Sequence, residues 1–68
     1  MEIAVVINGV ERTVAPEQTV LELLHSLNID PARVAVELDR RIVKQAYWSD
    51  IVIAPGAEIE IVQFVGGG

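Results

Sequence analysis

The side chains able to do chemistry are few in this sequence, and they are scattered. His25 is the one histidine, and it stands in a helix-like stretch without a carboxylate or nucleophile at a useful spacing. That is the pattern of a solvated surface histidine. There is no cysteine, which excludes a thiol nucleophile, a disulfide and a zinc–thiolate site. The acidic residues are dispersed and none of their spacings matches a metal loop. Asp39 and Asp50 fall at expected turns, where a short carboxylate bonds nearby backbone. Tyr47-Trp48 is expected to pack over the edge of the core. The sequence therefore predicts no catalytic residue and no metal site. What remains is Gly66-Gly67-Gly68. No helix follows them, so they are not a phosphate loop. One reading of such a run is simple fraying. The other is chemical: a tail without β-carbons passes through a channel too narrow for side chains. It can then set its carboxylate against the α-phosphate of a nucleotide, giving an acyl-adenylate open to sulfur or nitrogen nucleophiles.

Elements of limited size must position that tail. The chain has 68 residues, enough for one small domain, and a domain of this size buries only about 60% of its unfolded surface. Five basic residues against ten acidic ones give a net charge of −5. This argues against nucleic acid, which needs a basic face, and against anionic membranes. It favours a basic patch on another protein, reached by electrostatic steering. No stretch approaches the ~20 apolar residues of a membrane span, and the first residues lack a signal-peptide pattern. A cytoplasmic location is the expectation.

Along the chain, "MEIAVVI" and "VERTV" flank Asn8-Gly9, a strong two-residue hairpin signal. A turn there pairs Ile7 with Val10, Val5 with Arg12 and Ile3 with Val14. Arg12 then falls on the buried face, which calls for a sheet edge or a bulge. In "APEQTVLELLHSLNIDP", Thr19 and Glu22 form a capping box. Val20, Leu23, Leu24 and Leu27 make an apolar helix stripe, and Asn28, Ile29 and Pro31 end it. "RVAVEL" alternates as a strand, Asp39-Arg40 turns the chain into "RIVK", and "QAYWSDIVIA" reads as a helical turn and an irregular crossing. Pro55-Gly56 makes a turn before a last strand, "EIEIVQFV". The order β-β-α-β-β-β suits a mixed sheet with the last strand parallel beside the first. The expected helix-facing core includes Ile3, Val5, Leu23, Leu27, Val36, Ile59 and Ile61.

One helix covers one face of such a sheet. Val6, Val62 and Phe64 are expected on the other face, with Ala4, Ala35 and Glu60. Together with Val65 they form a candidate docking patch, though scattered surface apolar residues are also ordinary.

With these features together, the sequence resembles the ubiquitin-like β-grasp proteins, and among them the sulfur carriers of thiamine biosynthesis. The segments that carry the resemblance are "INGVERTV", "TVLELLHSLNI", "VAVELDRRIVKQAYW" and "PGAEIEIVQFVGGG". They span the chain. Asp39 stands where the family often has Asn, and Gly56-Ala57 where it often has Gly-Asp; both are turn substitutions. The resemblance implies an α+β β-grasp domain over residues 1–65, with about five strands in a mixed sheet on one helix, and a flexible glycine tail over 66–68. It implies a carrier and not an enzyme. An adenylyltransferase resembling ubiquitin-activating enzymes would use ATP and Mg²⁺ to adenylate the Gly68 carboxylate, with Gly66 and Gly67 threading the tail. The chain itself would bind no cofactor. A cysteine desulfurase or sulfurtransferase would supply sulfur for a thiocarboxylate, and thiazole synthase would accept it. The alternatives are a sulfur carrier for another pathway, such as molybdopterin synthesis, a ubiquitin-like protein modifier, or an interaction module with incidental glycines.

Overall fold

The computed structural model describes residues 1–64. Two strands, β1 (Ile3–Ile7) and β2 (Val10–Val14), lead to one helix, α1 (Val20–Ser26). Strands β3 (Val34–Leu38), β4 (Arg41–Val43) and β5 (Glu58–Gln63) follow. Single 3₁₀ turns lie at Pro31–Arg33 and Gln45–Tyr47. The sheet order is β2-β1-β5-β3-β4, with β5 parallel to β1 and every other pair antiparallel. This is the β-grasp arrangement that the resemblance implies.

Local chemistry explains each element. Asn8 and Gly9 both take positive φ, 51° and 79°, so the first hairpin closes in the expected register, Ile7 on Val10 and Val5 on Arg12. There is no bulge at Arg12. It lies on the edge strand β2, exposed, beside a cavity of about 420 Å³ next to Leu27 and Asn28 at the end of α1. The second hairpin turns at Asp39 and Arg40, again with two positive φ values, 51° and 70°. The helix is capped as its sequence predicts. Glu22 N–H donates to Thr19 Oγ1 (3.1 Å), and Thr19 N–H donates to Glu22 Oε1 (2.9 Å). Two more N–H groups of the first turn, those of Val20 and Leu21, donate to the carbonyls of Ile51 and Trp48. The crossing chain thus satisfies helix donors that would otherwise be orphaned. At the other end Asn28 has φ 59°; its N–H reaches His25 O and that of Ile29 reaches Leu24 O, a Schellman closure.

The core lies between α1 and the sheet. Val5, Leu23, Val36 and Ile59 are buried as expected, whereas Ile3, Leu27 and Ile61 are only half-buried at its rim. The crossing segment contributes more than its pattern suggests. Trp48 is 2% exposed and donates its indole N–H to Val43 O (2.8 Å), and Ile53 and Ala57 are also buried. Tyr47, its neighbour, is exposed.

Leu23→Ala is expected to cost about 2–5 kcal/mol, because Leu23 is fully buried, and Leu27→Ala clearly less. Paired urea melts check the order of the two. Thr19 holds the Glu22 carboxyl below the usual carboxylate range, chiefly through its backbone N–H and also through its side chain, against a small opposing effect of burial. A depressed carboxylate contributes stability that is present above the unfolded value of about 4.3 and lost as pH falls through the folded one. Glu22→Gln should therefore flatten the loss of stability at acid pH, measured by melts across that window.

Candidate functional site

The candidate site is the uncovered sheet face and the end of β5 from which the chain continues. Alternation along the strands fixes what that face shows. Ile59 and Ile61 turn toward α1, so Glu58, Glu60 and Val62 turn away. Val62 lies opposite Ala35 and Glu60 opposite Glu37. Val62 is 55% exposed and Phe64 56%. Val6 shares the face and is half-buried, but its partner on β5 is Glu58. It stands four residues before Val62, about 13 Å at ~3.3 Å per residue. The structure thus groups Val62 with Phe64 and Ala35 at the exit end and leaves Val6 lower on the sheet, with the Glu58 and Glu60 side of β5 between. Val65, Gly66, Gly67 and Gly68 lie outside the described residues.

Two devices hold the exit end in place. Phe64 N–H donates to Arg33 O (2.8 Å), one step past the last strand residue on the β3 side. On the β1 side the backbone ladder ends with Asn8 N–H on Ile59 O (2.8 Å). There the Asn8 side chain continues it: its Oδ1 accepts from Ile61 N–H (2.7 Å) and its Nδ2 donates to Ile61 O (3.2 Å). A carboxamide carries the same donor and acceptor as a peptide unit, so Asn8 acts as one more rung of β-sheet. The sequence marks Asn8 only as a turn residue. Its second role has no local signal, since the partner is 53 positions away.

Among the described residues no group of three or more His, Cys, Asp or Glu could hold a metal ion. His25 is exposed on α1. No helix among them is long and apolar enough to cross a membrane.

Comparisons with known proteins agree with this architecture. The ThiS family model matches residues 5–68. A protein named thiazole synthase from Paramagnetospirillum magneticum is 41% identical over 63 residues, 93% of this chain and 19% of that protein. Another of that name from Magnetococcus marinus is 32% identical over 62 residues, 91% of the chain and 19% of the relative. The chain thus spans about a fifth of the length of these curated relatives. The crystal structure of a thiamine biosynthesis protein (ThiS) from Geobacter metallireducens superposes with a TM-score of 0.85 at 29% identity, covering 97% of this chain and all of that one.

Asn8→Ala should loosen the exit end without unfolding the domain. Each lost hydrogen bond is worth about 0.5–1.5 kcal/mol, and alanine also fits positive φ poorly. Amide exchange should accelerate at Ile61 more than at Val36. Equal acceleration at both would mean that Asn8 supports the whole fold rather than this end.

Proposed function

This chain belongs to the ThiS family, and from that premise we propose that it is a sulfur carrier of thiamine biosynthesis whose Gly68 carboxylate bears the sulfur. The observation that carries the reading is a match to the family that runs through residue 68 and so includes the three glycines, joined to a fold whose central strand leads into them. An activating enzyme of the ubiquitin-activating kind uses ATP and Mg²⁺: a carboxylate oxygen of Gly68 attacks the α-phosphorus and pyrophosphate leaves. The persulfide of a cysteine desulfurase or sulfurtransferase then displaces AMP from the acyl carbon. A thiol cleaves the acyl disulfide so formed, taking the donor's sulfur into a new disulfide and releasing the thiocarboxylate. The resulting thiocarboxylate gives its sulfur to a thiazole synthase. That two relatives bear the name thiazole synthase and contain a segment like this one supports that acceptor. The chain performs none of these steps itself; it presents the carboxylate and is not an enzyme. ATP and Mg²⁺ belong to the activating partner, and the setting is the cytoplasm.

The exit end of the open face is the proposed partner contact. Val62 and Phe64 offer apolar area there, Val6 marks its far margin, and Val65, outside the described residues, is proposed as a further contact. Gly66 and Gly67 let the backbone thread, since a β-carbon would narrow both the passage and the available φ/ψ range.

Intact-protein mass spectrometry tests the tail. After incubation with ATP, the activating enzyme and a sulfur source, the wild type should gain the mass difference between sulfur and oxygen. Gly67→Val should not, while melting near the wild-type temperature. Removing Gly68 should also abolish the gain, because it shortens the reach by about 3.5 Å, and ~1 Å of misplacement can already cost about a hundredfold in rate. Equal gain in all three proteins would overturn the reading. Conjugates to other proteins on a denaturing gel would point instead to a protein modifier. Phe64→Asp should weaken binding to the activating enzyme in calorimetry and leave the fold intact; unfolding would place Phe64 in the core.

A further inference from the structure

We propose that the corner made by β4 and the 3₁₀ turn after it is a second docking surface, whose occupant is an acidic protein segment carrying one bulky apolar side chain. Three of the five basic residues in the sequence, Arg40, Arg41 and Lys44, fall within five positions there, in a chain of net charge −5. Among the described residues the only ion pair is Arg33 with Asp30, so these three cations make no ion pair there. Beneath Arg41 and Lys44 is a cleft of about 420 Å³ whose floor is Leu38, Val43 and Ile51. Tyr47, 56% exposed, stands beside it, and Ile42, 77% exposed, lies at its margin in register with Glu37.

The turn holding Arg40 is built at a cost. Both central residues of this two-residue turn have positive φ, and at the second, where glycine is usual, the chain has Arg40 at 70°. An arginine in the left-handed region is disfavoured, so the position places a cation where local backbone preference would not. The turn is also held rigidly. Asp39 N–H donates to Glu58 O (2.7 Å), and Asp39 Oδ1 accepts from Glu58 N–H (3.0 Å). That occupies Asp39, the nearest carboxylate in sequence, while Glu37 points to the opposite face of the sheet, as its register with Glu60 requires.

Charge complementarity selects an acidic occupant, and the shallow apolar floor favours one that also brings an apolar side chain. An anionic bilayer fits less well, because it presents a plane of headgroups and no single apolar side chain to seat on Leu38, Val43 and Ile51. The cleft lies on the helix side of the sheet at the Leu38 end of β3, whereas the exit of β5 is at the Val34 end, beside Gln63. An occupant of the corner leaves Val62, Phe64 and the tail free. The proposal therefore stands independently of the sulfur-carrier reading.

The test is an NMR titration of the ¹⁵N-labelled chain with a blocked synthetic peptide, Asp-Glu-Phe-Asp-Glu. The basic peptide Lys-Lys-Phe-Lys-Lys and phosphatidylglycerol vesicles serve as comparison probes. Shifts should concentrate on amides of Leu38, Ile42, Val43 and Tyr47 and weaken with added salt. Arg41→Glu with Lys44→Glu should weaken binding about tenfold or more, with unchanged melting because both side chains are exposed. Replacing the peptide's phenylalanine by serine should weaken it as well. Shifts centred on Val62, equal binding of the basic peptide, indifference to the charge reversal, or a preference for vesicles would each overturn the proposal.

Discussion

The two hairpins of this domain share no strand pairing with each other, and β5 is what joins them. It enters between β1 and β3, pairing parallel with one and antiparallel with the other. The antiparallel side is long, with five registered pairs from Val34↔Gln63 to Leu38↔Ile59. The parallel side has two, Val6↔Glu58 and Ile7↔Ile59, and is the weaker joint. It is lengthened at one end by Gly56 N–H on Ala4 O and at the other by the Asn8 carboxamide. The helix needs this joint too, because Val5 and Ile7 on one hairpin and Val36 on the other form a single floor only when Ile59 lies between them.

The charge distribution follows the same geometry. Glu37 and Glu60 stand directly opposite across β3 and β5 on the open face, an arrangement that disfavours the sheet by a few tenths of a kcal/mol up to about 1. Glu11 on β2 shares the face with them. The face is therefore acidic at its centre and apolar at the exit of β5. An acidic open face discourages two copies from stacking, and it favours a partner that brings cations.

Much of this was legible because it is local. Asn8-Gly9, the Thr19/Glu22 box, the Asn28-Ile29 ending and Pro55-Gly56 each act within a few residues, and the structure has all four. Alternation alone sorts Ile59 and Ile61 from Val62. The crossing segment was less legible, since Trp48, Ile53 and Ala57 follow no period; their burial depends on where β3, β4 and α1 leave a gap. Leu27 fits the helix stripe, yet the helix stops at Ser26 and leaves it at the rim. Asn8's grip on Ile61 and Asp39's on Glu58 are invisible for the same reason: each joins residues that only the tertiary fold brings near. The separation of Val6 from Val62 required the register, which no single strand encodes.

The strand at the middle of the sheet is the last of the described strands, and this has a consequence for biosynthesis. As the polypeptide leaves the ribosome, both hairpins and α1 can form from neighbouring residues, yet β1 and β3 each keep a bare edge until residues 58–63 have emerged. A chain interrupted before that point holds two unsheltered strand edges, the kind of template that recruits other chains or is cleared as misfolded. Closure of the sheet therefore waits on β5, which joins both hairpins at once.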